Sequence, residues 1–177
     1  MSLFLPFPMD WTTLRFPRVL EEDGTARELR RVLPLRKARL WSGGLLEVPI
    51  VEMNGLLAEA IQRACLRRRI RLGLEAIAEK LTSEERGLAR IVDKEPSFHG
   101  ERISRLILFS RDGAERLYRH LETLLLSHTP RLMGCRIDVD AVALGTLVTG
   151  RERPVKVILV EHKQDVAAVL KAMAPPF

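Results

Sequence analysis

In the second half of this 177-residue chain, short apolar runs alternate with segments of helical periodicity, and this pattern limits the fold more than any other feature. Residues 103–109 form an apolar run between turn signals, which is typical of a buried strand. Leucines then recur at helical spacing as far as His128. Further strands are predicted over 132–139 and 155–161, and a last helix over 164–172. Interleaved elements of this kind predict an α/β (or α+β) fold, a small mixed sheet with helices on both faces.

The first part of the chain lacks such a pattern. Prolines and an Asp-Gly turn signal divide residues 1–53 into short pieces, for which strands such as 45–51 fit better than helices. The clearest linker is the segment 93–101, which contains a proline and a glycine. We therefore expect one folded unit, in which a mixed N-terminal region (residues 1–99) packs on a compact α/β core (residues 100–177).

Helices are also predicted within the N-terminal region. Apolar spacing predicts one over 55–65, and two more near 74–81 and 84–93. Thr82 opens a capping box, which predicts that a new helix begins there. The run 66–72 fits either a kinked helix, which we favour, or a strand with arginines along one face.

The charge balance permits an anionic partner. The chain has 29 Lys plus Arg against 23 Asp plus Glu, a formal net charge of +6. The densest basic cluster consists of Arg63, Arg67, Arg68, Arg69 and Arg71. Of these, the candidates for contact with nucleic acid or another anion are Arg63, Arg67, Arg68 and Arg71. The structural alternative is a solvated helix face whose arginines pair with nearby glutamates.

Other features indicate a soluble protein of a reducing compartment. Two cysteines without a Cys-x-x-Cys spacing do not form a disulfide framework. The apolar residues 3–9 are interrupted by two prolines and follow no basic segment, so they predict neither a signal peptide nor a membrane span. We expect a cytoplasmic protein that does not enter a membrane.

Acidic residues at the ends of two predicted strands could carry chemistry. Asp138 and Asp140 share one face of the first strand, and Glu161 and Lys163 share one face at the end of the second. If residues 141–148 are also extended, the two segments form a hairpin. A two-residue loop then places Asp138 opposite Glu161, and a four-residue loop places Asp140 there. Opposed carboxylates destabilise a sheet unless a divalent cation or the Lys163 ammonium compensates their charge.

This arrangement resembles the PD-(D/E)xK nuclease superfamily, in which a strand carrying an Asp is followed by an apolar strand that ends in Glu-x-Lys. The matching residues are Asp138, with Asp140 as a substitute, and Glu161-His162-Lys163. The resemblance implies a Mg²⁺ ion held by Asp138, Glu161 and the carbonyl of His162. It also implies that Lys163 orients or deprotonates the water that attacks a phosphodiester. Catalysis would thus depend on Asp138 or Asp140, Glu161 and Lys163.

Three classes of function stay open. The first is a Mg²⁺-dependent phosphodiesterase, similar to the nucleases, or a degenerate relative. The second is a non-catalytic α/β binding or regulatory module. It is favoured if residues 139–149 are instead a crossover helix between parallel strands and the acidic side chains are a solvated strand end. The third is a helix-turn-helix DNA-binding regulator, formed by residues 74–93 and flanked by the arginine cluster.

Overall fold

The computed structural model describes residues 14–94 and 102–175. These residues form seven α-helices and a sheet of six β-strands. In chain order the elements are α1 (Arg18–Glu22), α2 (Thr25–Val32), β1 (Lys37–Arg39), β2 (Glu47–Val51), α3 (Gly55–Leu66), β3 (Ile70–Leu72), α4 (Leu74–Lys94), β4 (Arg105–Phe109), α5 (Glu115–His128), β5 (Leu132–Ile137), α6 (Ala141–Thr149), β6 (Val157–Val160) and α7 (Lys163–Met173).

The strands are arranged in the order β1-β2-β5-β4-β6-β3. Strands β2, β5 and β4 run parallel, whereas β1, β6 and β3 each pair with their neighbours in the antiparallel direction. Helix α5 joins β4 to its neighbour β5, and α6 leads from β5 past β4 to β6. The predicted class is confirmed, since the protein has an α/β fold with a mixed sheet.

Helices cover both faces of the sheet. A Cβ added at Gly134 of β5 would lie 2.9 Å from Leu125 of α5, so Gly134 faces α5. Helix α4 packs beside α5 on this face. Met133 and Cys135 flank Gly134 on β5, so they point to the opposite face, and they are fully buried as well. Helices α3, α6 and α7 cover that face, and α3 packs against the other two. Burial on both faces explains why the central strands are continuous apolar runs.

The ends of the strands lie along two opposite sides of the sheet, and these sides are not its outer strands β1 and β3. The carboxyl ends of the parallel strands β2, β4 and β5 lie at one edge, which we call the carboxyl edge. The pairing of Val160 with both Leu106 and Ile70 places the end of β6 and the start of β3 beside the start of β4. These strand ends form the opposite edge, which we call the amino edge.

Residues 141–149 differ from the predicted strand. They form helix α6, for which Asp140 is the N-cap: its Oδ1 accepts a hydrogen bond from the Ala143 N–H at 2.8 Å. The predicted hairpin is therefore wrong. The crossover helix considered as the alternative is present, but β5 and β6 are antiparallel and β4 lies between them.

Three predictions in the N-terminal region are also wrong. Strands were expected to fit residues 1–53 better than helices, but residues 18–22 and 25–32 form the helices α1 and α2. Helix α4 is continuous over 21 residues: the buried Ile77 and Leu81 lie on one side of it, and the half-buried Glu84 and Leu88 continue that side past Thr82. The helix break at Thr82, and with it the helix-turn-helix, is absent from this helix. Residues 70–72 form strand β3, so the kinked helix that we favoured is wrong and the strand alternative holds there. The helix predicted over 55–65 is confirmed as α3.

Two further expectations concern linkers and membranes. Most of the linker predicted at 93–101 lies outside the described residues. In the parts of the chain that the structure describes, no helix is both long and apolar enough to cross a membrane. The longest helix, α4, carries charged side chains throughout its length.

Candidate functional site

Three consecutive arginines form a tight turn between α3 and β3, at the amino edge of the sheet. The Arg68 N–H donates to the carbonyl of Cys65 at 2.9 Å, and the Arg69 N–H donates to the carbonyl of Ala64 at 3.0 Å. These two bonds form a Schellman motif, in which Arg68 adopts the left-handed conformation with φ of 58°. Glycine is usual at this position, and a residue with a Cβ costs about 1 kcal/mol there.

A buried carboxylate orients the arginines on either side of Arg68. Asp165 lies in the first turn of α7, and only 2% of its side chain is exposed. Its Oδ1 accepts a hydrogen bond from Arg67 Nη1 at 3.1 Å, and its Oδ2 accepts one from Arg69 Nη1 at 3.2 Å. The guanidiniums compensate the burial of the carboxylate, and the carboxylate fixes their positions. Arg68 itself is exposed, with no partner among the described residues.

The start of α7 adjoins this turn. His162 is the N-cap, and its Nδ1 accepts a hydrogen bond from the Gln164 N–H at 3.3 Å. Arg69 Nη1 lies 3.3 Å from the same Nδ1. An Nδ1 that accepts hydrogen bonds carries no proton, so this geometry fits the tautomer protonated on Nε2. Lys163 follows His162 and is exposed, without an ion pair to any described residue.

Together these side chains form what we call the basic surface, which consists of Arg67, Arg68, Arg69 and Lys163. Arg67 and Arg69 keep 53% and 34% of their side chains exposed while bound to Asp165. Four positive charges less the one negative charge of Asp165 leave a net charge of +3. The amino end of α7 adds the positive end of a helix dipole. Such a surface attracts anions, and its guanidiniums match the geometry of phosphate oxygens.

The structure separates the four predicted contact residues. Arg67 and Arg68 belong to the basic surface. Arg63 lies one turn earlier on α3, where it pairs with a glutamate of its own helix. Strand register places Arg71 on the α4 side of the sheet, and its Nε donates to Glu161 Oε2 at 2.7 Å. That hydrogen bond raises the pKa of the Arg71 guanidinium.

The acidic residues predicted to meet across a hairpin lie at opposite edges of the sheet. Asp138 follows β5 at the carboxyl edge, whereas Glu161 follows β6 at the amino edge. The register of β4, which lies between them, separates their backbones by about 20 Å along the strands, at about 3.3 Å per residue. The predicted opposition of Asp138 or Asp140 to Glu161 is therefore wrong, because it required residues 141–148 to be a strand.

The groups predicted to bind Mg²⁺ have partners within the protein. Asp138 Oδ2 accepts a hydrogen bond from Arg36 Nη2 at 2.9 Å, and this bond lowers the pKa of Asp138. The carbonyl of His162 accepts a hydrogen bond from the Val166 N–H at 2.9 Å. Over residues 14–94 and 102–175, no three His, Cys, Asp or Glu side chains are grouped so that they could hold a metal ion. The resemblance to the nucleases and the Mg²⁺ ion that it implies stay predictions. The strand pairing that would have brought their acidic residues together is absent.

Sequence reasoning missed the residue that organises the basic surface. Asp165 is 98 residues from Arg67 in the chain, and only its position in the first turn of a predicted helix marked it. Arg69 belongs to the basic cluster of the sequence but not to its predicted contact residues. Lys163 was assigned to catalysis with Glu161, whereas it lies beside the arginine turn.

No protein-family model matches this chain, and neither does any curated protein. Among solved structures, the chain is similar to the Giardia lamblia 15.5kD RNA binding protein. The TM-score is 0.43 at 15% sequence identity, over 68% of this chain and 88% of that one.

Proposed function

We propose that this protein is a non-catalytic binding module that contacts the phosphate backbone of a nucleic acid through its basic surface. The observation that carries the proposal is the clamp made by Asp165, whose buried carboxylate holds Arg67 and Arg69 at 3.1 and 3.2 Å. Held in this way, the two guanidiniums lose less conformational entropy when they bind phosphate.

The backbone at Arg68 supports the same proposal. Glycine would adopt this left-handed conformation without strain. The Arg68 guanidinium pairs with no described residue, so no contact of its side chain offsets the cost of the strained backbone. Strained backbone that does not serve stability is typical of functional sites. Here it directs an exposed cation outward between two oriented ones.

The charge of the whole chain agrees with a polyanionic partner. A net charge of +6 attracts nucleic acid over distances longer than direct contact. Contacts with phosphates carry no sequence information by themselves. We therefore expect binding that depends strongly on salt and weakly on base sequence.

The test is fluorescence anisotropy with labelled RNA and DNA, single-stranded and double-stranded, between about 50 and 200 mM salt. We expect the double variant Arg68→Glu/Lys163→Glu to bind at least about tenfold more weakly and with a smaller salt dependence. The control is Arg116→Glu, which reverses an exposed arginine of α5 on the other face of the sheet. Equal losses of affinity in the double variant and in Arg116→Glu would mean that the nucleic acid does not bind at the basic surface. A wild-type protein that binds none of these nucleic acids would overturn the proposal.

A further inference from the structure

A second group of cations lies along the amino edge, on the α4 side of the sheet. Its centre is Glu84 of α4, which accepts hydrogen bonds from Arg105 Nε at 2.9 Å and Nη2 at 2.7 Å. Arg131, just before β5, places Nη2 at 3.6 Å from Glu84 Oε1. Lys80 Nζ lies 3.9 Å from Oε2. Three positive charges surround one negative charge, so the Glu84 cluster carries a net charge of +2.

This excess charge is largely buried. The side chains of Glu84, Arg105 and Arg131 are each no more than 17% exposed. Arg105 occupies both oxygens of Glu84, which leaves Arg131 the longer contact. Burial and the neighbouring Arg105 both lower the pKa of Arg131. The next glutamate, Glu85, also acts on Arg131 and opposes this lowering, but its Oε2 lies against His128 Nδ1 at 2.5 Å, and two acidic side chains still face three cations. An additional anion beside Arg131 would therefore be stabilising.

The Glu84 cluster lies close to the basic surface. Arg69, Glu161 and Arg105 are side by side across β3, β6 and β4. Neighbouring strands are about 4.8 Å apart, so the backbones of Arg69 and Arg105 are about 10 Å apart, and Arg131 lies one strand further. Glu161, between them, is neutralised by Arg71. A single phosphate group cannot contact both sites at this separation, so an occupant of both sites carries several phosphates.

We infer that Lys80, Arg105 and Arg131 form a second phosphate-binding site, and that one nucleic-acid strand crosses the amino edge to occupy it together with the basic surface. This inference rests on the proposed function. A phosphate beside Arg131 supplies the anion that the cluster lacks, and charge-assisted bonds to guanidinium are among the stronger hydrogen bonds in proteins. The partner is therefore an extended polyanion and not a mononucleotide.

Oligonucleotide length and one substitution test the inference. Arg131→Gln removes a cation but leaves Glu84 bonded to Arg105, so the fold should be kept. We expect about fivefold weaker binding of a 12-nucleotide strand, and a salt slope smaller by about 0.7 for the lost phosphate contact. A mononucleotide, which is too short to reach both sites, should bind at the basic surface equally well in both proteins. Lys80→Gln should act in the same direction, and Arg86→Gln, an exposed arginine on the same helix, should change neither affinity nor slope.

The outcomes separate this inference from the proposed function. If Arg131→Gln and Lys80→Gln keep the wild-type salt slope while the basic-surface variants lose affinity, the second site is overturned and the proposed function stands. If the wild type binds no nucleic acid, the proposed function fails. Titration with inorganic phosphate then decides the second site alone: a shift of the Arg131 Nε–H resonance in NMR supports it, and no shift overturns it.

Discussion

At Arg68 the requirements of stability and of binding conflict. We expect Arg68→Gly to raise the free energy of unfolding by about 1 kcal/mol, because glycine has no Cβ to strain the left-handed backbone. The same substitution should weaken nucleic-acid binding, since it removes the outermost cation of the basic surface. Thermal unfolding and anisotropy measure the two effects. Arg68→Asn, which also tolerates this conformation, should lose the same affinity with a smaller gain in stability. A glycine variant that binds as tightly as the wild type would exclude Arg68 from the interface.

Asp23 provides a prediction on pH. Its Oδ1 accepts a hydrogen bond from the Thr25 N–H at 2.9 Å and its Oδ2 binds Lys171 Nζ at 2.9 Å. Hydrogen bonds from Thr25 and Lys171 lower the pKa of Asp23 to about 2. A carboxyl whose pKa is lower in the folded state stabilises the protein above its unfolded pKa of about 3.9. That contribution is lost as the pH falls towards 2.

We therefore expect Asp23→Asn to lower the free energy of unfolding by about 1 kcal/mol at pH 7. The difference from the wild type should be unchanged down to about pH 4 and should vanish towards pH 2. Urea denaturation at several pH values measures it. A difference of the same size at pH 7 and pH 2 would mean that the ionised carboxylate is not the stabilising form.

Among the elements, α6 depends on one glycine. A Cβ added at Gly145 would lie 1.5 Å from the carbonyl oxygen of Arg153, where the chain returns to β6 against the helix. Backbone cannot yield as a flexible side chain does, so we expect Gly145→Ala to lower the free energy of unfolding by at least about 2 kcal/mol. Gly87 in α4 is the matched control, because an added Cβ meets nothing within 4 Å. Gly87→Ala should stabilise the protein by about 1 kcal/mol, as alanine does in exposed helices. Chemical denaturation of both variants tests the pair.

The elements that could be predicted from the sequence are those with a regular apolar period. Helices α3, α5 and α7 each bury one stripe and expose the other side, so local spacing identifies them. Helix α6 has no polar face: residues 141–149 are all aliphatic, Gly or Thr, and their β-branched members favour a strand. The capping oxygen of Asp140 is the local sign of this helix. In α4, the local signal at Thr82 is misleading because the inward side of the helix continues past it through the half-buried Glu84 and Leu88.

The candidate site could be predicted only in part, for a related reason. The arginine run was visible as charge, but its orientation depends on Asp165, nearly a hundred residues away in the chain. The acidic pair was argued from two strands that follow one another in the sequence. In the sheet, β4 lies between those strands, although it precedes both of them in the sequence. Which strand inserts between two others is decided by packing of the whole sheet, and local patterns do not reveal it.

On the scale of the whole molecule, the sheet mixes strands from both halves of the chain. Strands β1, β2 and β3 come from residues 14–94, and β4, β5 and β6 come from residues 102–175. Strand β2 pairs with β5, and β3 pairs with β6. Helix α3 of the first segment packs against α7 of the second. The basic surface therefore exists only when both segments are folded together.

This arrangement predicts one cooperative unit in place of a core with an attached region. The chain has two tryptophans, Trp11 and Trp41, and Trp41 donates a hydrogen bond to Glu122 of α5. Tryptophan fluorescence therefore reports on the contact between the two segments, whereas circular dichroism reports on all helices. We expect the two probes to give coincident urea transitions in the full chain. We also expect residues 100–177 alone to remain unfolded, because without β2, β3 and α3 the fragment would expose two sheet edges and the apolar face of α7. Transitions that differ between the probes, or a fragment with native-like NMR dispersion, would instead favour an independent C-terminal core. Recovery of that dispersion on adding residues 1–99 would show that the missing strands and helix are what the fragment needs.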